Sequence, residues 1–169
     1  MTHAELVVRA GRWLRNVRKC GVVLKEWPSA SLEIPDAIGW RVGGFSTLIE
    51  CKVSVSDFCA DQRKSFRQAG QSAGRWRYYM TPSGLLTKNG VEKCKKWMAE
   101  RCPKWGLLEV RGRFIDVVIE AEDNGYDAGA KHEVEFMYSA IRRLTCGFIP
   151  GQLAAPDRYA EEIAEMEPS

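Results

Sequence analysis

The fold is decided by residues 34–53, which read Ile-Pro-Asp-Ala-Ile-Gly-Trp-Arg-Val-Gly-Gly-Phe-Ser-Thr-Leu-Ile-Glu-Cys-Lys-Val. Two strand-like runs, residues 34–41 and residues 46–53, lie on either side of Gly43-Gly44. Glycine pairs between such runs are typical of hairpin turns, because glycine adopts the positive φ angles that these turns need. We therefore predict two antiparallel strands joined by a turn at residues 43–44.

The hairpin carries three ionisable residues whose relative positions follow from strand geometry. Side chains alternate between the two faces of a strand, so Glu50 and Lys52 share one face while Ile49 and Cys51 share the other. A register that places Asp36 opposite residue 50 or 52 puts it on the face of Glu50, and a slip by one residue removes it from that face. The sequence thus permits a cluster of Asp36, Glu50 and Lys52 without requiring it.

Such a cluster suits metal-assisted hydrolysis. Two close carboxylates favour a divalent cation between them, and oxygen ligands suit Mg²⁺ or Mn²⁺. The backbone carbonyl of Cys51 is a third candidate oxygen, and Lys52 is placed to orient water or to neutralise charge in the transition state. A purely structural interpretation stays open, because Glu and Lys two residues apart on a strand occur by chance and Asp after Pro is a common turn residue.

The rest of the chain alternates helical and strand-like patterns. Apolar spacings of three and four predict helices, and short aromatic or β-branched runs predict strands. Ser54 with Asp57 resembles a helix N-terminal capping box. The predicted helices are residues 4–19, 55 to about 69, 91–101 and 132–145, and the other predicted strands are residues 22–27, 75–81, 105–110 and 114–120. This order predicts an α/β fold with a central mixed sheet flanked by helices.

The motif Pro35-Asp36…Glu50-Cys51-Lys52 resembles the signature of the PD-(D/E)XK nuclease superfamily. The order of elements over residues 4–82 is similar to its restriction-endonuclease-like αβββαβ core, and the chain looks most like the Holliday-junction-resolvase-like and VRR-NUC-like branches. We expect a nuclease-like core at residues 1–121 and an acidic, helical C-terminal appendage and tail at residues 122–169.

The resemblance implies a Mg²⁺-dependent or Mn²⁺-dependent enzyme that hydrolyses phosphodiester bonds in DNA, with structure-specific cleavage as one form. It assigns metal binding to Asp36 and Glu50 and the role of catalytic lysine to Lys52. Many members place another acid on the first helix, where the candidate here is Glu5. A homodimer is common among junction-cutting relatives, and no interface is evident in this sequence.

The distribution of charge favours a polyanionic partner. Residues 1–116 hold 21 Lys and Arg against 11 Asp and Glu, whereas residues 117–169 hold 4 against 11. A basic body attracts phosphate backbones, although solvated surface charge gives the same excess. The basic and polar side chains that follow the motif are the predicted nucleic-acid contacts: Arg63, Lys64, Arg67, Gln68, Arg75 and Arg77.

Other features narrow the class of protein. The six cysteines form no Cys-x-x-Cys pair, which argues against a zinc site and indicates reduced thiols. No apolar run is long enough to span a membrane, and the first residues lack an export signal, so we expect a cytoplasmic protein. Two alternatives to a nuclease stay open: a catalytically inactive nucleic-acid-binding or assembly module with the same fold, and a regulatory partner that acts through the acidic C-terminal region.

Overall fold

The computed structural model describes residues 1–29, 33–62, 64, 73–125 and 129–145. The helices and strands of these residues follow in the order α1 (His3–Asn16), β1 (Val22–Lys25), β2 (Ala37–Arg41), β3 (Phe45–Cys51), α2 (Val55–Asp61), β4 (Trp76–Pro82), α3 (Val91–Arg101), β5 (Gly106–Arg111), β6 (Phe114–Ile119) and α4 (Ala130–Thr145). The strands form one sheet in chain order, β1 to β6. The predicted α/β fold and its αβββαβ order from α1 to β4 are therefore confirmed.

The sheet is mixed, as predicted. Strands β1, β2 and β3 form an antiparallel meander, and β6 returns antiparallel to β5. The central pairs β3–β4 and β4–β5 are parallel. Parallel neighbours need a crossover connection, and helices α2 and α3 are the crossovers here. The carboxyl ends of β3, β4 and β5 consequently lie at the same edge of the sheet.

The hairpin has the register on which the predicted cluster depends. Ala37 lies opposite Ile49 and Trp40 lies opposite Ser46, so the position before Ala37 faces position 50. The turn contains Gly43 and Gly44 at φ values of 90° and 73°, in the left-handed region that glycine adopts without strain. The turn residues thus hold Asp36 at the level of Glu50.

Helix α1 covers one face of the sheet. Its buried residues Leu6, Ala10 and Trp13 belong to a core cluster that includes Ile49 and Cys51 of β3. The apolar positions of α1 recur at spacings of three and four, as predicted. Ile49 and Cys51, which strand alternation predicts to share one face, both lie in this core.

Helices α2, α3 and α4 supply the core of the other face. Phe58, Met98 and Phe136, one from each helix, cluster with Leu48 of β3 and Tyr79 of β4. With Ile49 and Cys51 in the core, strand alternation predicts that Glu50 and Lys52 lie on an open surface, and this prediction is wrong because both are buried. Both faces of a central parallel strand are covered, because the crossover helices pack against the sheet.

Helix α4 packs onto the sheet, although it lies in the segment expected to be an appendage. Phe136 is fully buried in the core. Glu133 accepts hydrogen bonds from Trp40 Nε1 at 2.9 Å and from Ser46 Oγ at 2.6 Å. Four other apolar side chains of α4, Val134, Tyr138, Ile141 and Leu144, are 58–66% exposed. No helix in the described part of the chain is long and apolar enough to cross a membrane.

Candidate functional site

Asp36 is hydrogen-bonded to β3, which contains Glu50 and ends directly before Lys52. Its Oδ2 atom accepts a hydrogen bond of 2.6 Å from the backbone nitrogen of Cys51. Asp36 lies one residue before β2 begins, and Cys51 is the last residue of β3, so this bond lies at the end of the β2–β3 pair. The carboxylate is thereby held beside the tripeptide Glu50-Cys51-Lys52, and Asp36, Glu50 and Lys52 meet at one end of the sheet.

Two further residues bring potential metal ligands to Asp36. The Nε2 atom of His3 lies 3.3 Å from Asp36 Oδ1 and 3.6 Å from Glu26 Oε1. Each of the three offers one ligand atom, and these atoms lie within 4.8 Å of one another. We name His3, Glu26 and Asp36 the carboxylate–histidine cluster. A hydrogen bond to Asp36 is the main reason why the pKa of His3 lies above its ordinary value.

Local structure explains why these three residues converge. His3 begins α1, whose N-terminus is fixed by Thr2, and α1 lies across the strands of the hairpin. Glu26 follows β1, and its backbone nitrogen donates to the carbonyl oxygen of Asp36 at 3.0 Å. The end of one strand, the beginning of the next and the N-terminus of a helix thus meet at one point.

Glu50 and Lys52 belong to a second, buried group. Lys52 Nζ lies 3.1 Å from Glu50 Oε2 and 3.2 Å from Asp61 Oδ1. Tyr79 of β4 donates its hydroxyl to Asp61 Oδ2 at 3.0 Å. Glu50, Lys52 and Asp61 are 3%, 4% and 1% exposed. We name Glu50, Lys52, Asp61 and Tyr79 the buried lysine cluster.

The carboxylates of this cluster keep Lys52 cationic. Burial lowers the pKa of Lys52, but the charges of Glu50, Asp61 and Asp36 outweigh burial and hold the pKa above its ordinary value. A lysine in this state donates hydrogen bonds and stabilises negative charge, and it does not act as a base. Asp36 connects the two clusters: it belongs to the carboxylate–histidine cluster, and its charge acts on Lys52 of the buried lysine cluster.

The structure places Glu5 in a different role from the predicted metal ligand. Its Oε2 atom accepts from the backbone nitrogen of Thr2 at 2.5 Å, and its own nitrogen donates to Thr2 Oγ1 at 3.2 Å. This is a capping box at the N-terminus of α1. His3, two residues earlier, is the residue of α1 that reaches Asp36.

Two of the predicted nucleic-acid contacts have other partners. Arg77 is 3% exposed, and its Nε donates to the carbonyl oxygens of Ala73 and Gly74. Its predicted contact with phosphate is therefore wrong, because α2, α3 and α4 cover this face of β4. Arg75 forms a bidentate pair with Asp123, with Nε 2.8 Å from Oδ1 and Nη2 2.6 Å from Oδ2.

The remaining predicted contacts stay predictions. Lys64 Nζ lies 2.8 Å from Asp61 Oδ1, so this exposed lysine extends the buried lysine cluster toward solvent. Arg63, Arg67 and Gln68 lie outside the described residues. Glu50 and the carbonyl of Cys51 remain predicted metal ligands. Among the described residues, the group whose ligand atoms converge consists of His3, Glu26 and Asp36.

Part of the acidic segment pairs with the basic body of the same chain. Asp123 holds Arg75, and Glu120 lies 3.5 Å from Arg18 while it accepts a hydrogen bond from the hydroxyl of Tyr78. Burial, together with this bond, raises the pKa of Tyr78 to about 12. The opposite charges of the two halves thus meet within one molecule, which reduces the basic surface left for a partner.

Sequence reasoning did not identify His3, Glu26, Asp61 or Tyr79. These residues are scattered, and folding alone brings them to the motif. One local signal was present: Asp61 follows Lys52 on the first helix after the motif, where polar residues are expected to approach the site.

Comparisons with known proteins support the fold and leave the chemistry open. No protein-family model matches the chain. No curated protein matches its sequence. A solved structure, described as a protein of unknown function from Silicibacter pomeroyi, is similar with a TM-score of 0.56 and 23% identity, over 85% of this chain and 90% of that one. At this identity the similarity shows the α/β fold alone.

Proposed function

We propose that this protein is a metal-dependent nuclease that hydrolyses phosphodiester bonds in DNA. One observation carries the proposal: Asp36 Oδ2 is bound at 2.6 Å to the nitrogen of Cys51. This contact joins a group of potential metal ligands to a buried lysine through a single tripeptide, Glu50-Cys51-Lys52. A bound cation and a second, fixed positive charge both stabilise the negative charge that develops during cleavage of a phosphodiester.

The carboxylate–histidine cluster fits a divalent cation. Two carboxylates and one imidazole are ligands for Mn²⁺ and related transition metals, and the carboxylates also suit Mg²⁺. The cluster is partly open, since Asp36 is 14% exposed and His3 is 40% exposed. When bound, such an ion polarises a phosphate oxygen and lowers the pKa of its water. His3, Glu26 and Asp36 would hold it there.

Lys52 supplies the fixed positive charge. Its two short contacts to Glu50 and Asp61 hold the ammonium group in one position. A charge that is already oriented stabilises a developing negative charge without the cost of reorganisation. Glu50 and Asp61 therefore position Lys52, and Lys52 neutralises charge on the phosphate.

DNA is the proposed substrate because the body of the chain is basic, with 21 Lys and Arg against 11 Asp and Glu in residues 1–116. Buried Arg77 does not provide this contact, and Arg75 and Lys64 each pair with a carboxylate of the chain. The exposed lysines Lys88 and Lys93 are the further candidates for phosphates at the carboxyl edge of the parallel strands.

A cleavage panel tests this function. Labelled duplex, nicked, branched and single-stranded DNA are incubated with Mg²⁺, Mn²⁺ or EDTA. We expect cleavage of at least one substrate with Mn²⁺ or Mg²⁺ and none with EDTA. Lys52→Met should remove cleavage, and Lys95→Met, an exposed lysine of α3, serves as its matched control. Cleavage that persists in EDTA or in Lys52→Met contradicts the proposal.

One observation favours the second candidate, a catalytically inactive nucleic-acid-binding or assembly module. Glu50 contacts Lys52 directly, so its charge is already compensated without a metal. A module of this kind would bind DNA, and Mn²⁺ would not raise its melting temperature. DNA binding without such a rise would favour this module over the nuclease.

A further inference from the structure

A cavity of about 360 Å³ lies between the beginning of α2, the connection from β4 to α3, and α3 itself. Its apolar lining includes Val55, Leu85, Leu86 and Trp97. This volume falls in the range of about 300–1,000 Å³ that is typical of sites for small ligands. Neither cluster described above contains any of these residues.

The cavity and the buried lysine cluster lie at the same edge of the sheet. Lys52 follows the carboxyl end of β3, and the 83–90 connection that forms one wall of the cavity follows the carboxyl end of β4, its parallel neighbour. Ligands of open α/β sheets bind at this edge. A cavity here is therefore placed to hold a part of the same substrate.

A chain of ring contacts connects the two. The ring of Phe58 in α2 lies 4.6 Å from that of Tyr79 and 5.0 Å from that of Trp97, between ring centroids. Tyr79 donates to Asp61, which contacts Lys52. Helix α2 thus contributes Val55 to the lining of the cavity and Asp61 to the buried lysine cluster.

The lining combines apolar walls with positive charge. Lys88 and Lys93 line the cavity, and both are exposed. This combination complements a group that joins a flat apolar ring to an anion, and a nucleotide is such a group. An uncharged apolar molecule would form no ion pair with the lysines, and a free phosphate would not pack against the apolar walls.

Apolar side chains are also exposed between the two sites. Val53, directly after Lys52, is 38% exposed, and Val55 at the cavity is 45% exposed. A duplex keeps its bases stacked and presents sugars and phosphates to a protein, so it gains little from such a surface. An unstacked base, by contrast, is stabilised by an aromatic ring on which it stacks, and Trp97 lines the cavity.

We propose that this cavity receives an unpaired nucleobase next to the scissile phosphate, with Lys88 and Lys93 at the adjoining phosphates. The inference rests on the proposed nuclease function and narrows its substrate to single-stranded DNA or to DNA with locally unpaired bases. Asp36 and Lys52 act at the scissile phosphate, and the cavity determines which kind of DNA strand binds beside them.

Binding measured without metal tests this proposal separately from catalysis. The anisotropy of a labelled oligothymidylate and of a duplex of equal length is recorded in EDTA with the full chain. We expect the single strand to bind about tenfold more tightly, which corresponds to one received base. The double variant Lys88→Ala/Lys93→Ala should lose most of this affinity. Lys95→Ala/Lys96→Ala, with the same loss of charge on α3 outside the lining, is the matched control.

A second variant examines the cavity itself. Val55→Trp fills the mouth and should remove the preference for the single strand while duplex binding stays within about twofold, with circular dichroism as the check of folding. Equal affinity for single strand and duplex in the unaltered protein, or an unchanged preference in folded Val55→Trp, overturns the inference. If the single strand is preferred but no DNA is cleaved, the base-binding role of the cavity is supported and the nuclease function is contradicted. If duplex is cleaved without such a preference, the nuclease function is supported and the base-binding role of the cavity is contradicted.

Discussion

Asp36 reaches the backbone of Cys51 across the end of the hairpin, with 2.6 Å between Oδ2 and the amide nitrogen. Its other oxygen, Oδ1, lies 3.3 Å from His3 Nε2. One carboxylate therefore ties the N-terminus of α1 to the last residue of β3. The contact with Cys51 requires a hydrogen-bond acceptor, whereas metal binding requires the negative charge.

Two substitutions of Asp36 separate these roles. Asp36→Asn keeps an acceptor for the nitrogen of Cys51, so its melting temperature without metal should stay close to that of the unaltered protein. It loses the charge, so the rise in melting temperature with Mn²⁺ should disappear. Asp36→Ala should also lose about 1–3 kcal/mol of folding free energy, because a partly buried donor is left unsatisfied. Thermal melts with and without Mn²⁺ measure both effects, and an equal Mn²⁺ shift in Asp36→Asn and the unaltered protein would rule out Asp36 as a ligand.

Lys52 should be important for stability as well as for cleavage. Lys52→Met removes the ammonium group beside buried Glu50, whereas Asp61 keeps its contact with Lys64, and removal of one partner of a buried pair costs about 3–5 kcal/mol. The double variant Glu50→Gln/Lys52→Met also removes the buried charge of Glu50, so it should recover part of the loss. Urea denaturation measures the free energy of unfolding. Additive effects of the two substitutions would mean that the pair does not interact.

Arg77 should act as a structural residue, in contrast to its predicted role at phosphate. Arg77→Met removes the donor to the carbonyl oxygens of Ala73 and Gly74, which should lower the free energy of unfolding by about 1–3 kcal/mol. The affinity of the folded variant for DNA should change less than twofold. A large loss of DNA affinity at unchanged stability would restore the sequence-based role.

The pair of Arg75 and Asp123 should be visible in a pH titration. The hydrogen bond from Arg75, followed by that from the nitrogen of Gly125, lowers the pKa of Asp123 to about 2 from an ordinary value of 3.8. Because the pKa is depressed in the folded state, this pair stabilises the fold above pH 3.8 and ceases to do so as the pH falls toward 2. Carboxyl resonances in NMR report the titration directly. Arg75→Gln should return the pKa of Asp123 toward its ordinary value, and an unshifted pKa in the unaltered protein would show that the pair does not form in solution.

The local sequence was sufficient to predict the helices, the strands and the turn of the hairpin. The predicted helix 91–101 coincides with α3, and Ser54 accepts from the nitrogen of Asp57 as the capping pattern indicated. Gly43-Gly44 predicted the turn, whereas the register stayed open until the structure paired Ala37 with Ile49. The helices, the strands and the turn depend on neighbours within a few residues, which is why the sequence alone reveals them.

The composition of the site depends on contacts between distant parts of the chain. His3 was missed because nothing near it distinguishes a ligand from an ordinary residue at a helix start, and α1 must first pack on the sheet. The predicted phosphate contact of Arg77 was wrong for a similar reason. An alternating strand looks half exposed until the helices that cover its second face are placed.

The initial rate of DNA cleavage in Mn²⁺, compared between the unaltered protein, Asp36→Asn and Asp116→Asn, tests the central claim most directly. Asp116 is a carboxylate of β6 that pairs with Arg111 at 3.2 Å, so its variant removes a charge of the same kind away from both clusters. We expect the unaltered protein and Asp116→Asn to cleave at similar rates and Asp36→Asn to be at least about a hundredfold slower, a loss of roughly 2.7 kcal/mol in transition-state stabilisation. Absence of cleavage by the unaltered protein, or an unchanged rate in Asp36→Asn, would contradict a metal-dependent nuclease centred on Asp36.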